Sequence, residues 1–68
     1  MTLRLTINGE PHHYPDPMSV AALIEKLALS TQKIAIERNQ EIVPRSLHSS
    51  TRLCDGDVIE IVEFIGGG

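Results

Sequence analysis

Few side chains in this 68-residue chain are of types that do chemistry: three histidines, one cysteine and a scatter of carboxylates. His12 and His13 are adjacent, so on a strand their rings point to opposite faces. His48 and Cys54 stand at no ligand spacing from them, and solvent-exposed histidines are expected rather than a metal site. Cys54 is followed by Asp55 and Asp57, whose negative charge works against a nucleophilic thiolate; it reads as a structural residue. The two aspartates flank Gly56 as turn residues. No glycine-rich loop precedes a helix to cradle a phosphate. The side chains offer no active site, so the chain is expected not to be an enzyme and to bind no metal or cofactor itself.

One reactive group is left, the α-carboxylate of Gly68, at the end of Gly66-Gly67-Gly68. Glycine gives up the most backbone entropy on ordering, so three in a row project as a mobile tail. Such a tail is either ordinary fraying or the working part of the molecule. A carboxylate is a poor electrophile and must first be activated, for instance as an acyl-adenylate. Glycine suits that chemistry, having no β-carbon to crowd a nucleophile and no stereocentre to scramble. Three extended glycines also reach about 10 Å, enough to enter a narrow tunnel.

The elements that would position this tail follow from the hydropathy pattern. Residues 2 to 8 alternate, with Leu3, Leu5 and Ile7 on one face of a strand. Asn8-Gly9 is a tight hairpin signal, and the return strand, about Pro11 to Pro15, is proline-bounded and suits a sheet edge. Ser19 reads as an N-cap for a helix over Val20 to Ala28, striped by Val20, Leu23, Ile24 and Leu27. Residues 33 to 38 form a strand with Ile34 and Ile36 inward. Asn39-Gln40 turns into a brief strand, Glu41 to Val43, stopped by Pro44. Residues 45 to 53 read as a loop with a helical turn, and the last strand runs from Val58 to Ile65. The result is an α+β layered architecture: residues 1–65 form one domain and 66–68 its tail. The first and last strands, the most apolar, lie side by side at the sheet centre.

With Ile59 and Ile61 inward, Val62 and Phe64 face outward beside the tail. They read either as a docking patch that includes Ile65 or as a covered sheet face or a local twist. Nine acidic against six basic residues give a net charge of −3, with only Tyr14 and Phe64 aromatic. No basic face or stacking platform suits nucleic acid; a basic protein surface is the better match. No apolar run is long enough to cross a membrane and no signal peptide is recognisable. The single cysteine points to a reducing, cytoplasmic setting.

These residues together resemble the ThiS sulfur carrier proteins of thiamin biosynthesis. The resemblance rests on Asn8-Gly9, Ser19-Val20, Ile34-Ala35-Ile36-Glu37, Ile42-Val43-Pro44-Arg45-Ser46, Asp55-Gly56-Asp57 and the ending Phe64-Ile65-Gly66-Gly67-Gly68. It implies a ubiquitin-like β-grasp fold: a mixed sheet of four to five strands crossed by one main helix. It further implies that a ThiF-like enzyme, using ATP and magnesium, adenylates Gly68. Sulfur from a cysteine desulfurase or equivalent donor then displaces AMP, and a ThiG-like thiazole synthase takes it from the thiocarboxylate. Gly67 and Gly68 carry over as the functional tail, extended by Gly66, with Ile65, Phe64 and Val62 at the partner surface. The rivals are the small subunit of molybdopterin synthase, a ubiquitin-like modifier of lysines and a passive interaction module.

Overall fold

A computed structural model describes residues 2–64. The strands are β1 (Leu3–Ile7), β2 (Glu10–Tyr14), β3 (Ile34–Arg38), β4 (Glu41–Val43) and β5 (Val58–Glu63), with one helix, α1 (Val20–Lys26). They form one sheet in the order β2-β1-β5-β3-β4. β1 and β5 run parallel, and the other pairs are antiparallel. β5 is therefore the middle strand, as the apolar character of the first and last strands implied. Val20, Leu23 and Ile24 of α1 share one core with Leu3, Leu5, Ile7, Ile34, Ile36 and Ile59, which closes one face of the sheet.

Each turn has a local cause. Asn8 and Gly9 both adopt positive φ, as do Asn39 and Gln40, matching the twist of the hairpins they close. The expected helix start holds, with the Ser19 hydroxyl accepting from the Ala22 amide at 3.2 Å. The end differs: α1 stops at Lys26, two residues before the expected Ala28. Ala28 takes φ of 57°, while Ala28 N–H donates to Glu25 O and Leu29 N–H to Ile24 O. That is a Schellman end, and the sequence hides it by placing alanine where glycine is usual. The last strand also ends earlier than expected, at Glu63, and Ile65 lies outside the described residues.

His48 corrects a second expectation. It is buried at 6% exposure, not solvated, because residues 44–53 fold back under α1. Its carbonyl accepts from Ala21 N–H, Thr51 O accepts from Val20 N–H, and Leu53 N–H donates to Met18 O. The His48 Nε2 sits 3.2 Å from the Val43 carbonyl, which assigns that nitrogen the proton.

The Asp55-Gly56-Asp57 turn does more than reverse the chain. Arg4 grips Asp55 with Nε and Nη2, at 3.2 and 2.9 Å, and with its backbone N–H at 2.8 Å. The Arg4 side chain, then its backbone N–H, hold the Asp55 carboxyl down at about 2, from an ordinary 3.8. Asp57 is 5% exposed. Burial pushes its pKa up, but hydrogen bonds from Arg38, the Cys54 N–H and Asn39 outweigh that and leave it lowered.

Candidate functional site

The tail root is the C-terminal end of β5, and its surroundings follow from strand periodicity. Ile59 points into the core with no exposure, while Glu60 and Val62 point outward. Val62 is 55% exposed and Phe64 59%. Val62 lies opposite Ala35 on β3, and Phe64 N–H donates to the Lys33 carbonyl at 2.7 Å. The outward face at this end of the strand is thus apolar, built from Val62, Phe64 and the small side chain of Ala35. Of the expected site residues, Val62 and Phe64 stand exposed at the root; Ile65, Gly66, Gly67 and Gly68 lie outside the described residues.

One register along, the face turns acidic. Glu60 stands opposite Glu37, and Glu37 opposite the exposed Ile42. Arg38, the neighbour of Glu37 on β3, is engaged elsewhere, with Asp57. Among the described residues, the arrangement has no nucleophile or general base aimed at a pocket. It can present a strand end, an apolar contact and negative charge to another protein.

The other chemistry-bearing residues disperse. His12 stacks on Tyr14 with ring centroids 6.3 Å apart, and Lys26 Nζ lies 5.9 Å from the centre of the Tyr14 ring. His13 faces Arg4 across the hairpin. Among the described residues, no three His, Cys, Asp or Glu side chains come together as a metal site. Cys54 is exposed, so it fills no core space, and Arg38 Nη2 approaches its sulfur at 3.5 Å. The sequence showed only the acidic neighbours; the arginine arrives from 16 positions away. No helix among these residues is long and apolar enough to cross a membrane.

Comparison with known proteins is decisive at the family level. The ThiS family profile matches residues 5–68. The sulfur carrier protein ThiS of Bacillus subtilis is 37% identical over 65 residues, spanning 94% of this chain and 98% of that protein. The chain belongs to the ThiS family. The crystal structure of a thiamine biosynthesis protein, ThiS, from Geobacter metallireducens superposes with a TM-score of 0.83 at 30% identity. It covers 97% of this chain and 100% of that one, and confirms the ubiquitin-like β-grasp fold. A protein named thiazole synthase from Paramagnetospirillum magneticum is 47% identical over 66 residues; these are 97% of this chain but 20% of that protein. Another, from Magnetococcus marinus, is 36% identical over the same length and share. The chain thus spans about a fifth of the length of these two relatives.

Proposed function

We propose that this ThiS-family chain carries sulfur on the carboxyl group of Gly68 for building the thiazole of thiamin. Family membership over nearly the whole chain carries the reading. In the proposed sequence, a ThiF-like enzyme with ATP and magnesium joins the Gly68 carboxylate to AMP and releases pyrophosphate. A donor persulfide, charged by a cysteine desulfurase or equivalent, displaces AMP to form an acyl disulfide, and a thiol reductant cleaves its S–S bond to leave the thiocarboxylate. A ThiG-like thiazole synthase then consumes that sulfur. The chain is a co-substrate in the cytoplasm, and the catalysis belongs to its partners.

Two features support the reading. The middle strand of the sheet leads directly into the tail, so its root is held by main-chain bonds to β3. Val62 and Phe64 offer a partner an apolar contact beside it. Relatives named thiazole synthase contain a segment matching this chain, which favours the thiazole branch over molybdopterin synthesis.

Intact-mass analysis tests the proposal. After incubation with ATP, the adenylating enzyme and a sulfur donor, the protein gains the mass of one oxygen-to-sulfur exchange, localised to Gly68. Removal of Gly67 and Gly68 abolishes the gain and the ability to support thiazole synthesis. Lysine-linked conjugates in place of the thiocarboxylate would point to a modifier instead.

A further inference from the structure

The Asn8 side chain makes a contact that its turn does not require. β1 ends at Ile7, and the Asn8 amide N–H donates to Ile59 O at 2.9 Å as the last main-chain bond from that side. A parallel ladder would next use the Asn8 carbonyl to accept from Ile61 N–H, then an amide two residues on to donate to Ile61 O. The hairpin prevents both, because Asn8 turns to φ of 50° and the chain leaves for β2. The Asn8 side chain replaces both groups. Its Oδ1 accepts from Ile61 N–H at 2.7 Å and its Nδ2 donates to Ile61 O at 3.2 Å.

Beyond this clamp, β5 has a neighbour on one side only among the described residues. β3 pairs as far as Glu63, and Lys33 O takes the Phe64 amide. Val62 and Phe64 therefore lie just past the point where the strand is last held on both edges. We propose that Asn8 is a positioning residue for the tail chemistry: its side chain fixes the end of β5, and so sets how the tail root and its apolar contact are presented to a partner. This rests on the carrier reading above. Asn8 touches no reacting atom and acts only through Ile61.

Asn8→Gly separates the clamp from the turn, since glycine adopts positive φ freely and Gly-Gly still closes a two-residue hairpin. The tests are site-resolved amide hydrogen exchange, and adenylation kinetics with the ThiF-like enzyme and ATP. In Asn8→Gly, exchange at Ile61 and onward to Phe64 rises by about tenfold, the effect of losing roughly one net hydrogen bond. Exchange in α1 and in Leu3–Leu5 is unchanged. The KM for the carrier rises several-fold with kcat nearly retained, because the tail itself is intact. Asn8→Asp keeps the acceptor and loses the donor, and falls between wild type and Asn8→Gly in both readouts.

Wild-type exchange at Ile61–Phe64 in Asn8→Gly overturns the proposal, as does faster exchange with an unchanged KM. So does a uniform rise in exchange along the whole chain, the mark of a general stability role. If the wild-type chain is not adenylated at all, the carrier reading fails instead, while the exchange data still report on the clamp.

Discussion

Two asparagines at two hairpin turns hold opposite ends of the same strand. Asn8 and Asn39 have nearly the same backbone, φ of 50° and 52°, and both turn a side-chain amide onto β5. Ile7 at the end of β1 and Arg38 at the end of β3 both stand opposite Ile59, but β1 runs parallel to β5 and β3 antiparallel, so the asparagines that follow reach β5 at different places: Asn39 at Val58, Asn8 at Ile61. Their surroundings differ. Asn39 Nδ2 continues into the buried Asp57 carboxylate at 3.0 Å, which also takes Arg38 and the Cys54 N–H. Asn8 ends its contacts on the exposed strand. The same device is built into the fold at the strand's start and stands at the edge of function at its end.

The start should break hardest. Asp57→Ala leaves the Arg38 guanidinium, the Asn39 amide and the Cys54 N–H without their acceptor. It should cost about 2–3 kcal/mol of unfolding free energy in urea titration, through the loss of several hydrogen bonds to a charged acceptor whose arginine partner keeps some access to water. Asn39→Gly keeps the turn and should cost about 1–2 kcal/mol through two lost hydrogen bonds. Asn8→Gly, at an exposed contact, should cost less than Asn39→Gly while changing exchange at Ile61 more than at Val58. If the two glycine variants lose equal stability, the distinction between the ends fails.

Acid should weaken the start of β5 before its end. Asp57 is lowered and Asp55 sits at about 2, against an ordinary 3.8. Between these values the unfolded chain binds more protons than the folded one. The stability from both pairs is therefore full above about pH 5 and falls as pH drops through 4 toward 2. Urea midpoints measured from pH 5 to 2 should show this slope, and Asp55→Asn with Asp57→Asn should flatten it. An unchanged slope in the double variant would remove the turn network as its cause.

Much of this architecture is legible in local pattern. The alternation of Leu3, Leu5 and Ile7, the Asn8-Gly9 pair and the Val20-Leu23-Ile24 stripe each encode an element within a few residues. The α+β layering follows from their order and the exposure of Val62 and Phe64 from strand parity, while the β-grasp fold was implied only by the family resemblance. What stayed hidden depends on sequence-distant partners. Asn8 meets Ile61 across 53 positions, and nothing in an Asn-Gly turn announces that its side chain will finish a ladder. His48 carries no periodic signal, and its burial comes from a loop returning beneath α1. The tail was legible only as composition and family resemblance.

Left-handed positions sharpen the comparison most finely, because the same substitution should change sign among them. Ala28 has φ of 57° at the end of α1, and no side-chain hydrogen bond rewards that conformation. Glycine there removes the Cβ strain while the Glu25 and Ile24 carbonyls keep their donors. Against this, glycine adds freedom to the unfolded chain. The first effect is about 1 kcal/mol for a left-handed alanine and the second somewhat smaller. Ala28→Gly should therefore stabilise by a few tenths of a kcal/mol, read as a small rise in Tm. Asn8→Gly and Asn39→Gly relieve the same kind of strain and should still destabilise, since each removes a side chain that holds β5. Stabilisation by all three would mean that the asparagines are turn residues alone; opposite signs would isolate the work their amides do on the strand.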